Sequence, residues 1–190
     1  MPVAPSREVA TALSRYCAYL VAFHPELLPD DIDGTEFLYK NTKKELKKEM
    51  GCFGYYVSQQ GARCRKLMEI AARQQEEVEQ AVEMMEPAGR QRQALETTTA
   101  LRKGARLGKV LVEKYEAAAD EDARARVWKL LADLWTEVVV YAAPADGELH
   151  VKAHKEALAR GGDFITLLWA LATHTGITRG PAAAMPVEFV

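Results

Sequence analysis

Two histidines four residues apart, His150 and His154, and a carboxylate among aromatic residues, Glu137 beside Trp135 and Tyr141, are the groups in this 190-residue chain whose types suit chemistry. A spacing of i, i+4 sets both imidazoles on one helix face, as in zinc-binding pairs. No glutamate follows His150 to act as general base, so no metal is expected. Glu137 precedes the apolar run Val138 to Tyr141 and is expected to be partly buried and in need of donors. Tyr141, one turn on, or His154 would supply one. Such a Glu–Tyr–His cluster could do acid–base work, but structural polar networks have the same composition more often. No Ser-His-Asp order, phosphate loop or paired-carboxylate motif accompanies it. No catalytic residue is assigned and no cofactor is expected. His154 and His174 are read as hydrogen-bonded histidines at helix packing surfaces.

Two further stretches invite a binding role. Arg160-Gly161-Gly162-Asp163 could cradle a phosphate or join two helices. Gly161 suits the left-handed position that ends a helix, and Asp163 can cap the next one. The aspartate would occupy the N–H groups an anion needs and would repel it, so the joint is the better reading. Lys40, Lys43, Lys44, Lys47 and Lys48 form a basic run. Glu45 and Glu49 interrupt it, and Tyr39 is the aromatic residue near it, so it reads as a solvated face. An anionic membrane surface or an acidic partner is the second reading. Trp128, Trp135 and Trp169 fall inside apolar stripes and are read as core.

The elements that position these residues are helices. Val9, Leu13, Tyr16, Cys17, Leu20 and Phe23 recur at helical spacing from an N-cap at Ser6, and His24-Pro25 ends the run. A loop, 25–34, leads to a helix from about Thr35 to Met50. Two arms of roughly 30 residues, about 53–86 and 90–119, then form a long αα-hairpin across a turn at 86–89. Glu76, Glu77, Glu79, Glu83 and Glu86 precede that turn; Arg90, Arg92, Arg102, Lys103, Arg106 and Lys109 follow it. Opposite signs would face each other and set the register. Asp120 caps a helix to about Ala142 that buries Val127, Trp128, Leu131, Leu134, Trp135, Val138 and Tyr141. Shorter helices follow at about 148–160 and 163–175, the second burying Phe164, Leu167, Leu168 and Leu171. Residues 178–190 read as a loose tail. No β alternation appears, so the class is all-α: a bundle of six or seven helices over 1–177, with the hairpin 53–119 inserted between its terminal segments.

Composition fits this reading. The chain is 48% apolar and 27% charged with net charge −2, which gives no global bias toward nucleic acid, and none is expected as a partner. Cys17, Cys52 and Cys64 are odd in number with no Cys-x-x-Cys pair, which points to a reducing compartment. The first residues lack the apolar core of a secretory signal, and no run reaches the ~20 apolar residues of a span. A cytoplasmic protein is expected.

Two segments carry a family resemblance. One holds Tyr16, Leu20, Pro25, Glu26 and Pro29; the other holds Trp128, Trp135, Glu137, Tyr141, His154, Leu158, Gly161, Gly162, Asp163, Trp169, His174 and Gly176. In type and order they resemble the plant family known as domain of unknown function 594, abundant in grasses. Val127 separates Arg126 from Trp128 where the family tends to have Arg-Trp, and Asp163 stands for the more usual Glu. The resemblance covers roughly the first 30 and last 65 residues, and the hairpin poorly. It implies plant origin, mainly structural motif positions, and relatives in which a multi-pass membrane domain precedes this region. It implies no activity. The expected function is a non-enzymatic helical interaction or scaffold domain with an unidentified protein partner. The alternative is a membrane-peripheral or anion-binding domain using Lys40 to Lys48, and then an enzyme centred on Glu137, Tyr141 and His154.

Overall fold

A computed structural model describes residues 3–84 and 99–177. The described residues are helical and contain no strand: α1 (Val3–Phe23), a 3₁₀ turn (Pro25–Leu27), α2 (Ile32–Met50), α3 (Cys52–Val57), α4 (Gln60–Met84), α5 (Ala100–Glu116), α6 (Glu121–Ala142), α7 (Glu148–Ala159) and α8 (Phe164–His174). The turn expected at 86–89, the arginines at 90 and 92, and the tail 178–190 lie outside the described residues.

Several boundaries differ from expectation for local reasons. α1 begins at Val3, so Ser6 lies inside it rather than capping it. Pro5 is tolerated there because N–H groups of the first turn have no helical partner to lose. α2 begins at Ile32, earlier than Thr35, because Asp31 Oδ2 accepts from the Gly34 N–H at 2.7 Å. The first hairpin arm is not continuous: Ser58 is extended, with ψ 137°, and separates α3 from α4. The described return arm starts at Ala100, where Thr99 Oγ1 accepts from Arg102 N–H. Asp120 caps α6 as expected, accepting from Ala123 N–H at 2.6 Å.

The chain divides into two compact units, one of residues 1–39 with 120–190 and one of residues 40–119. In the first, α1 packs along α6, and α7 packs on α8 and on the 3₁₀ turn. Leu20, Leu27, Ala142, Ala143 and Ile165 form its centre, with Tyr16, Leu28, Ala153, Ala157 and Leu168 against them. The Ala142-Ala143 pair explains itself here. Small side chains let the end of α6 approach the others closely, and a larger residue would overpack the junction. In the second unit α4 and α5 pair, closing Ile70, Ala71, Leu101 and Ala105 over Leu46 and Leu67. Arg102 bonds Glu77 at 2.9 Å and Lys109 bonds Gln75 at 3.0 Å. The later residue on α5 meets the earlier one on α4, so the arms are antiparallel, and the expected facing of opposite charge holds at Arg102–Glu77.

Candidate functional site

The densest polar constellation lies where α7 turns into α8. Gly161 (φ 113°) and Gly162 (φ 77°) both adopt conformations that L side chains avoid. Gly162 N–H reaches back to the Ala157 carbonyl at 2.9 Å and Gly161 N–H to Leu158 at 3.1 Å, the two bonds of a Schellman closure. Asp163 then caps α8, accepting from Phe164 N–H at 2.6 Å, and its own N–H donates to Thr166 Oγ1 at 2.6 Å. Gly161, Gly162 and Asp163 thus make a helix joint, as the sequence implies. Tyr16 is the member that sequence reasoning missed. Its hydroxyl donates to Asp163 Oδ1 at 2.7 Å and accepts from Ile165 N–H at 2.9 Å. Its ring meets Phe164 edge-on at 5.8 Å. Burial pushes the phenol above its usual range; the Ile165 N–H opposes this and the Asp163 carboxylate adds to it. The hydroxyl therefore keeps its proton and its donor role. A tyrosine placed on an apolar helix stripe at a shared motif position was the available signal.

Deeper in the same unit, His154 is fully buried and stacks on Trp169, rings 5.0 Å apart and 4° from parallel. Trp169 is buried and donates from Nε1 to the Ala145 carbonyl at 3.1 Å. Neither His154 nitrogen meets a hydrogen-bonding partner among the described residues. Burial, and then the nearby His150, push its pKa down to about 4, while the Leu27 backbone favours the proton weakly, short of full hydrogen-bond geometry. It is a neutral, π-stacked core residue, not the hydrogen-bonded histidine expected. His150 takes another direction: its Nδ1 lies 3.1 Å from the Glu26 carbonyl, bracing the Pro25–Leu27 turn. His24 Nδ1 meets the Glu26 carboxylate at 3.1 Å, and Pro25 is buried. Among the described residues no group of three or more His, Cys, Asp or Glu is placed to hold a metal ion.

Glu137 and Tyr141 stand elsewhere. Both are exposed, so the partial burial expected of Glu137 and the full burial expected of Tyr141 are corrected. α6 sets Arg126, Lys129, Asp133 and Glu137 on one exposed face, and the apolar residues beside that face are exposed with it. Ala132, Val139 and Ala142 are buried, Trp128 and Trp135 half-buried, and Leu134 and Val138 face outward with Leu130. Trp128 carries the Arg7 guanidinium 5.7 Å above its ring. α8 behaves alike: Ile165, Thr166 and Trp169 are buried, whereas Phe164, Leu167 and Leu171, expected inside, are exposed. His174 is exposed at the helix end, beside a second Schellman closure made by Gly176 and Ile177 N–H on Thr173 and Ala172. A hollow lined by Arg7, Glu8, Thr11, Ala12 and Arg15 contains none of the expected site residues.

In the other unit, Lys40, Lys43, Lys44 and Lys48 are exposed and Lys47 is half-buried. The Lys47 ammonium lies 5.3 Å from the Tyr55 ring and 5.0 Å from the Tyr56 ring, and donates to the Tyr56 hydroxyl at 2.7 Å. Aromatic residues therefore do adjoin the lysine run, contrary to the reading from sequence distance. Cys17, a free thiol, is half-buried and its pKa is raised by burial; Cys64 is free and exposed.

Residues 120–177, from the Asp120 cap to the residue that closes the second Schellman motif, match the family described as "Protein of unknown function, DUF594". Searches of curated proteins and of solved structures return no match. No helix of the described residues is long and apolar enough to cross a membrane.

Proposed function

We propose that this chain is a non-enzymatic interaction domain, acting in the cytosol, whose family segment docks a protein partner on the outer face of α6. One observation carries the reading. Leu130, Leu134, Val138 and Tyr141, at spacings of four, four and three, are 62%, 45%, 40% and 62% exposed. They form a continuous apolar stripe on the side away from Ala132, Val139 and Ala142, at the spacing by which helix grooves and partner helices are read. A core needs no such stripe, and contiguous exposed apolar surface marks interaction sites. The separation of outward Glu137 and Tyr141 from buried His154 favours this reading over an enzyme built on the three.

The test is affinity capture with the full chain and with a Leu130→Asp/Leu134→Asp variant whose helix content is confirmed by circular dichroism. Proteins retained by the wild type and lost by the variant are expected. Identical capture by both would sink the reading.

A further inference from the structure

The lysine run of α2 looks interrupted only in the linear sequence. At 100° per residue, Lys40, Lys43, Lys44, Lys47 and Lys48 share an arc of about 140° of the helix, and Glu45 and Glu49 fall outside it. The structure shows where those two acids go. Glu49 Oε2 takes a hydrogen bond from Arg73 of α4 at 2.6 Å, and Glu45 Oε1 takes one from Thr99 at 2.9 Å, with the Arg102 guanidinium 3.8 Å away. The Arg73 contact holds the Glu49 carboxyl below its usual range, so it stays charged and engaged. The two acids are turned toward their own unit and lie off the basic face of residues 40–48.

What adjoins that face is apolar. Gly51, at φ 73°, ends α2 and admits the short helix α3. There Phe53, Tyr56 and Val57 sit at i, i+3, i+4 and share one side, with Phe53 79% exposed and the other two above 60%. The Lys47–Tyr56 hydrogen bond and the two ring contacts fasten this side to the middle of the lysine arc. A basic helix face continuous with exposed phenylalanine, tyrosine and valine matches the interfacial pattern of peripheral membrane proteins. Cations meet headgroups while apolar and amphipathic rings enter the acyl boundary.

We propose that residues 40–57 dock on an anionic lipid bilayer surface, with Lys40, Lys43, Lys44 and Lys48 facing headgroups and Phe53 and Val57 inserting beside them. Nucleic acid fits less well, because Phe53 and Val57 offer no hydrogen bonds to phosphate or base edge. This surface lies in the unit of residues 40–119 and does not depend on α6.

The experiment is co-sedimentation of the full chain with phosphatidylcholine vesicles with and without phosphatidylserine, alongside a duplex RNA oligonucleotide. Binding is expected only with phosphatidylserine, and weaker as salt rises. Lys44→Ala with Lys48→Ala should weaken it about thirtyfold, at about fivefold per lysine near an anionic surface. Phe53→Ala should weaken it about tenfold without changing the salt dependence. All three side chains are exposed, and circular dichroism confirms the fold of each variant. Equal binding to neutral vesicles, no loss in either variant, or tighter binding to RNA than to vesicles would each overturn the proposal.

Discussion

The two units of this chain reach stability by different means. The unit containing the family segment relies on single residues with one permitted geometry: Tyr16 on Asp163 and Ile165, His154 on Trp169, and Gly161 and Gly162 at positive φ. The unit of residues 40–119 has a small apolar centre, Ile70, Ala71, Leu101 and Ala105, rimmed by partly exposed ion pairs from Arg73 to Glu49 and from Arg102 to Glu77. The first arrangement tolerates few substitutions at its key positions. The second tolerates many, because any pattern of the same period and charge serves. A family signature therefore concentrates in the first, and the matched segment lies there.

The sharpest way to break this contrast is at Trp169. Trp169→Ala removes a buried indole, its hydrogen bond to Ala145 and the stacking partner of His154, and should cost about 3–5 kcal/mol in urea unfolding. A loss below about 1 kcal/mol, typical of a surface change, would contradict the tight geometry described.

Acidification should come next in size. His154 is pushed from 6.5 to about 4 in the folded chain. The unfolded state takes up a proton first, so this contribution is complete above pH 6.5 and is lost as pH falls from 6.5 to about 4. At 1.36 kcal/mol per pKa unit the loss is at most about 3 kcal/mol. His154→Phe keeps the ring and removes the proton, so the wild type should lose stability relative to this variant across that window. Parallel curves would show that His154 is not the group responsible.

The smallest effect is expected in the other unit. Glu49→Gln removes the charge from the contact with Arg73, whose side chain is half exposed. A slight fall in unfolding midpoint at low salt should vanish at high salt, because exposed pairs are screened. A loss that persists at high salt would mean that this unit also depends on particular contacts.

What the sequence revealed divides along physical lines. Helix existence and several ends were legible, because Asp120, Gly51, Gly161 and Asp163 act locally on their own backbone. Burial was not legible wherever a helix is apolar all round. α8 buries Ile165, Thr166 and Trp169 rather than Phe164, Leu167 and Leu171, since the side that turns inward meets residues far away in sequence, as Ile165 meets Leu20, Leu27, Ala142 and Ala143. Glu137 was misplaced for another reason: its adjacent apolar residues drew attention from the charged face it shares with Arg126, Lys129 and Asp133. The lysine face is a different case. Reading Glu45 and Glu49 as interruptions used linear order where the helical angle was available from the residue numbers alone.

The Tyr16 hydroxyl bridges positions 147 residues apart in the chain. During synthesis at about 5–20 residues per second, roughly 7–30 s pass between the making of Tyr16 and of Asp163. For most of that interval α1 has no completed α6 to lie along, while residues 40–119 are being made. α1 is made long before the helix it packs along, so its apolar side waits without its native cover until α6 follows.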